Sequence, residues 1–329
     1  MNKSLLAPRM LSLFSGAVLS LLGCDNTSSG GDTPDMAESA DLSASPPDLV
    51  TPPDLTPVPA VNKTVAGFAR PESVFWDPAT QLWYIGNQAA AVAGDGYVSR
   101  LPFDLDVAKI ERMWVTGLND PKGMRIRNGK LYVADNNMLV SIDIATKAIV
   151  RSAAVTPAVA GGNVLLNDVD LGQDGSAYVS DTSGNRIMKF ATPDTANNAA
   201  TVFAAPIGAN ALNSPNGVLI DGASLINVEV GNNGRVRKMN VSDGMNLMNL
   251  GTQTGRWDGI EKDGTSYLVS DVVNALLFRF DAANGTATML RDLKSDGLAG
   301  AADIGWDGNS RRLAVPDTGG NKVFFITLP

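Results

Sequence analysis

One short phrase recurs six times along this chain, and that periodicity limits the available folds more than any other feature. Each copy has a turn-forming or apolar first residue, a variable second residue, a small or acidic third and an aliphatic fourth. The copies are Pro71-Glu72-Ser73-Val74, Pro121-Lys122-Gly123-Met124, Leu166-Asn167-Asp168-Val169, Pro215-Asn216-Gly217-Val218, Trp257-Asp258-Gly259-Ile260 and Ala301-Ala302-Asp303-Ile304. They stand 42 to 50 residues apart, a period that accommodates one four-stranded unit whose apolar faces can be buried only against its neighbours. A second strand follows each copy, at 81–86, 130–135, 176–181, 224–230, 266–271 and 312–317, and a third at 96–101, 139–144, 186–190, 235–239, 275–280 and 322–326. Turn signals such as Asn128-Gly129, Asp174-Gly175 and Asn284-Gly285 separate the runs. No long stretch carries a 3.6-residue period.

This pattern predicts an all-β chain folded as a six-bladed β-propeller over residues 61–329. The last repeat stops after three strands, while the segment 61–69 precedes the first repeat without a partner. It is the natural fourth strand of the last blade, closing the ring and removing exposed edges.

The first 60 residues read differently. Lys3 and Arg9 precede an apolar run of 14 residues, 10–23, which has the layout of a secretory signal and is short of the roughly 20 residues a spanning helix needs. It ends in Leu21-Leu22-Gly23-Cys24, which resembles the lipobox of bacterial lipoproteins. That resemblance implies cleavage after Gly23, lipidation of Cys24 and a location in the bacterial cell envelope, facing the periplasm or the cell surface. Cys24 is the only cysteine, so no disulfide is available. Residues 24–60 are rich in Ser, Thr, Pro and Asp, a composition that cannot bury enough apolar surface to offset its ordering entropy. They form the expected tether. With seven acids and no base in residues 25–60, most of the net charge of −8 lies here, and residues 61–329 hold 24 Lys and Arg against 27 Asp and Glu. No basic stripe with interleaved aromatics points to nucleic acid, and membrane contact is expected through the lipid alone.

The chain contains no histidine, which excludes His-based zinc sites and a Ser-His-Asp triad. In a propeller the second residues of the six phrases are equivalent, so Glu72, Lys122, Asn167, Asn216, Asp258 and Ala302 should encircle the axis at one mouth. The third residues are Ser73, Gly123, Asp168, Gly217, Gly259 and Asp303. Carboxylate and amide oxygens converging on one point form a hard site suited to Ca²⁺ or another divalent cation. Gly123, Gly217 and Gly259 read as backbone necessities. Asp135, Asp181, Asp271 and Asp317, which end second strands, read as turn or blade-packing residues. Trp257, beside Asp258, is a candidate pocket wall.

At these residues the chain resembles the family of senescence marker protein, gluconolactonase and luciferin-regenerating enzyme. The resemblance covers nearly all of residues 61–329. It implies a divalent metal, typically Ca²⁺, held by Glu72, Asn216 and Asp258, with Asn167 contacting substrate or water. It further implies metal-dependent hydrolysis of a lactone or ester, with Asp258 as the activating acid and Asp168 as an alternative base. Leu165 stands where sugar-acid lactonases often place an arginine. Lys122 is open to two roles, pairing with Glu72 or Asp258 in place of the metal's charge or binding an anionic substrate, and Asp303 is a further charge partner. The alternative reading is a non-catalytic propeller that binds a small ligand or an envelope protein.

Overall fold

The structure is a computed structural model and describes residues 60–90, 92–195 and 199–329. The expected signal, Cys24 and all of the expected tether except Ala60 lie outside the described residues.

Among those residues the chain forms 24 strands and three short 3-10 turns. Strand β1 (Asn62–Ala66) precedes blade 1, which comprises β2 (Pro71–Asp77), β3 (Leu82–Asn87), β4 (Gly96–Pro102) and β5 (Glu111–Leu118). Blade 2 holds β6 (Pro121–Arg127), β7 (Lys130–Asp135), β8 (Met138–Asp143) and β9 (Ala148–Ala154). Blade 3 holds β10 (Leu166–Leu171), β11 (Ala177–Asp181), β12 (Arg186–Phe190) and β13 (Thr201–Ala204). Blade 4 holds β14 (Pro215–Asp221), β15 (Ser224–Glu229), β16 (Val236–Asn240) and β17 (Met248–Asn249). Blade 5 holds β18 (Trp257–Asp263), β19 (Ser266–Asp271), β20 (Leu276–Asp281) and β21 (Ala287–Asp292), and blade 6 holds β22 (Gly305–Asp307), β23 (Arg312–Asp317) and β24 (Lys322–Thr327). Every blade is an antiparallel sheet of four strands, and the six form a β-propeller.

The segment ahead of the first repeat behaves as its position requires. β1 pairs antiparallel with β24, from Asn62 opposite Ile326 to Ala66 opposite Lys322, so the last blade gains its outer strand from the start of the domain. On the inner side, Asp303 bridges to Ser73 in parallel, with Asp303 N–H donating to Glu72 O at 2.9 Å and Val74 N–H to Asp303 O at 3.1 Å.

Second and third strands read as nearly continuous apolar runs because neighbouring blades cover both of their faces. Tyr132, Ala134 and Leu139 of blade 2 pack on Leu166, Val169 and Val179 of blade 3. Ile226 and Val228 of blade 4 pack on Trp257, Ile260 and Tyr267 of blade 5. Each inter-blade layer is thus a small core, and each blade depends on its neighbours for burial. The Asn128-Gly129 turn joins β6 to β7 with φ of 52° and 73°, the left-handed pair that a two-residue hairpin requires. Among the described residues, no helix is long and apolar enough to cross a membrane.

Candidate functional site at the propeller mouth

In the first five blades the opening phrase marks an irregularity in the ladder. In blades 2 to 5 the pairing of the first strand with the second skips two residues, between Pro121 and Met124, Leu166 and Val169, Pro215 and Val218, and Trp257 and Ile260. Blade 1 has a smaller shift between Pro71 and Ser73. A bulge of this kind re-aims the side chains it carries, here the second and third residues of each phrase.

The third residues are where the blades touch. A Cβ on Gly123 would lie 2.7 Å from Asp168 Cα, one on Gly217 2.5 Å from Asp258 O, and one on Gly259 2.4 Å from Ile304 N. Only glycine permits those approaches. Ser73 Oγ donates to Lys122 O at 2.5 Å, continuing the same contact between blades 1 and 2. Asp168 clamps blades 3 and 4: its Oδ1 accepts Val169 N–H at 2.7 Å and its Oδ2 accepts Val218 N–H at 2.8 Å. Asp303 completes the ring against blade 1, yet its Oδ1 has no hydrogen-bond partner among the described residues.

The second residues present a different chemistry. Glu72, Lys122, Asn167, Asn216, Asp258 and Ala302 are all at most 6% exposed. Among the described residues, Glu72 Oε2, Asn167 Oδ1, Asn216 Oδ1 and Asp258 Oδ1 are buried acceptors without a partner. The Asn216 amide lies near the Asp258 carboxyl and favours its charged form. Lys122 Nζ makes its ion pair with Asp120 at 3.1 Å, and acts on Glu72 and Asp258 through the field alone. A buried acceptor left unmade costs about 1–3 kcal/mol, and four such atoms from blades 1, 3, 4 and 5 face one mouth.

Electrostatics sharpen the point. Burial pushes the Glu72 carboxyl well above the ordinary carboxylate range; Lys122 opposes the shift and Asp258, Asp120 and Asp168 add to it. Asp258 is pushed up to about 7, again by burial first, with Lys122 opposing and Asp168 reinforcing. Burial likewise raises Asp303 and takes Asp168 to about 6. A further layer lies two residues along the strands, a position that sequence reasoning missed. There Arg125 stands 3.5 Å from Asp170 and 3.4 Å from Glu261, and Glu261 is raised to about 7 by burial against the pull of Arg125. The period-2 alternation beyond each phrase is the signal that finds these residues. Seven carboxyl groups, Glu72, Asp120, Asp168, Asp170, Asp258, Glu261 and Asp303, thus stand around two cations, Lys122 and Arg125. The excess demands protons or a bound cation.

Among the described residues, no three Asp, Glu, Cys or His side chains stand together as a metal site. A cation at this mouth must therefore use amide oxygens as well. The fit is to a hard, oxygen-coordinated ion held by Glu72, Asp258 and the Oδ1 of Asn216, with the unpartnered Oδ1 of Asn167 at the same mouth. Trp257 is not a wall of the pocket. It is fully buried, with ring centroids 5.2 and 5.5 Å from Phe278 and Phe280 in edge-on contact.

The acids that end the second strands are structural, as their positions suggest. Asp135 accepts Asn119 and Asp120 N–H, Asp181 accepts Leu165 N–H, and Asp271 accepts Arg256 N–H. Asp317 accepts Ala299 N–H, and Glu229 accepts Asn213 N–H in the same way. Each fastens the segment that leads into a phrase.

No protein-family profile matches the chain, and no curated protein matches it by sequence. The fold has many solved counterparts. A gluconolactonase from Xanthomonas campestris superposes with a TM-score of 0.62 at 16% identity, covering 82% of this chain and 90% of that one. Regucalcin from Agrobacterium tumefaciens, described as a calcium-binding protein, gives 0.58 at 15% identity, with 80% and 91% covered. A catalytically inactive histidine-to-alanine variant of virginiamycin B lyase from Staphylococcus aureus, with quinupristin, gives 0.57 at 15% identity, with 80% and 84% covered. These likenesses establish the propeller. A lactonase, a calcium-binding protein and a lyase share it, so function has to be argued from the site.

Proposed function

We propose that this chain is a Ca²⁺-dependent hydrolase of lactones or esters, anchored to the cell envelope through Cys24. One observation carries the reading: buried, unpartnered oxygens from Glu72, Asn167, Asn216 and Asp258 converge on one mouth, in a channel with surplus negative charge. Glu72, Asn216 and Asp258 hold the ion. Bound Ca²⁺ supplies a Lewis acid that polarises the substrate carbonyl and stabilises negative charge on its oxygen.

The remaining work belongs to side chains. Asp258, whose Oδ1 no other group satisfies, takes the proton of the attacking water and returns it to the alkoxide oxygen as the acyl C–O bond breaks. Asn216 orients that carboxyl through its amide. The Oδ1 of Asn167 and its amide place the substrate. Asp168, with both oxygens taken by backbone N–H groups, holds blades 3 and 4 in register beneath the site. Asp303 serves as a charge partner of Arg125, which lowers its raised pKa.

The deciding experiment is calorimetric titration of Ca²⁺ into the EDTA-stripped chain, with Asp258→Asn as control. Saturable binding that the variant loses supports the reading, and hydrolysis of lactones and aryl esters should then vanish with EDTA and return with Ca²⁺. A folded wild type that binds no Ca²⁺ sinks it and favours the non-catalytic, partner-binding alternative. Anchoring is tested separately by metabolic labelling with a fatty acid, which Cys24→Ala should abolish.

A further inference from the structure

Three loops on the mouth face share a composition that the ring beneath them does not explain. They are the hairpin loop between β3 and β4 and the crossovers from β9 to β10 and from β13 to β14. Register places all three at the level of Glu72, because Pro71, Asn87 and Tyr97 pair across blade 1, and the crossovers run directly into Leu166-Asn167 and Pro215-Asn216. The crossovers, 155–165 and 205–214, contain no charged residue. The hairpin loop has one, Asp95, and it is turned inward: its Oδ2 accepts Ala90 N–H and its Oδ1 accepts Val92 N–H. Each loop instead presents an aliphatic side chain to solvent, with Val92 60%, Val159 68% and Ile207 89% exposed.

A single exposed valine needs no explanation. Three aliphatic tips around one buried polar site, on loops where any polar residue would serve as well, do need one. The opposite side of the mouth provides a contrast. Between blades 4 and 5 a depression of about 580 Å³ is lined by Asn232, Asn233, Thr254, Arg256 and Asn274 together with Val273. The mouth therefore carries the most exposed aliphatic tips, Val92, Val159 and Ile207, over blades 1 to 4, while the depression between blades 4 and 5 is mainly polar and holds one exposed aliphatic, Val273.

We infer that the site selects uncharged esters or lactones bearing an aliphatic chain, and that Val92, Val159 and Ile207 cover that chain while the ring acts on the carbonyl. The inference rests on the hydrolase reading for its chemistry but on different residues for its specificity. Leu165, half-buried at the foot of the second of these loops, adds a further aliphatic residue two positions before Asn167.

The test uses γ-alkyl lactams, which carry the same ring and carbonyl but resist hydrolysis, with chains of two to eight carbons. Their binding to the Ca²⁺-loaded full chain is measured by calorimetry. Affinity should rise about threefold to fourfold per methylene, the value for burying a CH₂ group. The combined Val92→Ser, Val159→Ser, Ile207→Ser variant should flatten that slope and leave the ethyl compound unchanged. Val107→Ser, an equally exposed aliphatic on the opposite face, should leave the slope intact and serves as the control. Absence of binding across the series, affinity independent of chain length, or a slope that survives the triple variant overturns the inference. The two readings separate cleanly. Turnover of lactones without chain-length preference keeps the hydrolase and removes the selectivity, whereas chain-dependent lactam binding without any turnover does the reverse.

Discussion

Two sets of buried acids circle this propeller at almost the same height, and they have opposite hydrogen-bond accounts. Asp135, Asp181, Glu229, Asp271 and Asp317 end the second strands, and their oxygens accept backbone N–H groups from the segments leading into the opening phrases. Glu72 and Asp258 stand in the phrases themselves, equally buried, and each keeps an oxygen that nothing among the described residues satisfies. Residue type and burial do not separate the two sets. Hydrogen-bond completeness does, because a carboxylate that fastens backbone is a structural part, while one left unmade has been kept for something else.

Exchanging the two sets of properties gives the largest expected effects. Glu72→Gln and Asp258→Asn should each reduce Ca²⁺ affinity at least 100-fold, and should leave thermal stability in EDTA unchanged or slightly raised, since each removes an uncompensated buried acid. Asp271→Ala should do the opposite. It strips partners from Arg256, Val273 and Asn274 N–H; Val273 and Asn274 are exposed and can turn to water, so the cost falls mainly on the half-buried Arg256 segment, at about 1–3 kcal/mol. That corresponds to a fall in Tm of several degrees for a domain of this size. Ca²⁺ affinity should change little once the variant is folded. If Asp271→Ala abolished Ca²⁺ binding at unchanged stability, the two rings of acids would not differ in role.

The next prediction concerns pH and has the reverse of the usual sign. Asp258 and Glu261 titrate near 7 in the fold, against about 4 in an unfolded chain. Between those values the folded protein binds more protons than the unfolded one, so stability rises as pH falls. The Tm of EDTA-stripped protein should therefore increase on acidification from pH 8 to about pH 5. Saturating Ca²⁺ should flatten that profile by replacing protons, and its apparent affinity should weaken below pH 7 as protons compete. A profile in EDTA that falls with acidification throughout this range would contradict the charge surplus assigned to the channel.

The sequence displayed the ring because it is periodic: six phrases 42 to 50 residues apart put Glu72, Asn167, Asn216 and Asp258 at equivalent positions of their blades. It displayed the second and third strands for the same reason, as with 130–135 and 312–317, which match β7 and β23 to the residue. Apart from the closing strand β1, the fourth strands were hidden. β9, β13 and β17 lie at the outer rim with most side chains exposed, so no apolar alternation marks them. Bonding partners were equally hidden. Nothing in Leu-Asn-Asp-Val says that Asp168 meets Val218 N–H from the next blade, or that Trp257 turns into the core while Asp258 turns out of it. Arg125, Asp170 and Glu261 escaped notice because they lie just beyond the phrase, where only the pleat of the strand returns a side chain to the axis.

Lys122 yields the smallest effect and the finest test of the comparison. It occupies a ring position, yet it resembles the structural acids in having a partner of its own, Asp120 at 3.1 Å. It also lowers the raised pKa values of both Glu72 and Asp258, so its charge reaches the site even though its hydrogen bond does not. A like charge at that range opposes a bound cation by one to a few kcal/mol at an effective dielectric near 20. Lys122→Met should accordingly raise Ca²⁺ affinity on the order of tenfold at pH 8. It should also move the pH at which protons displace the ion upward, because both carboxyls lose an opposing charge. Affinity that stays constant while stability falls would place Lys122 with the structural residues; affinity that falls would mean that the Lys122–Asp120 pair shapes the ring rather than merely biasing its field.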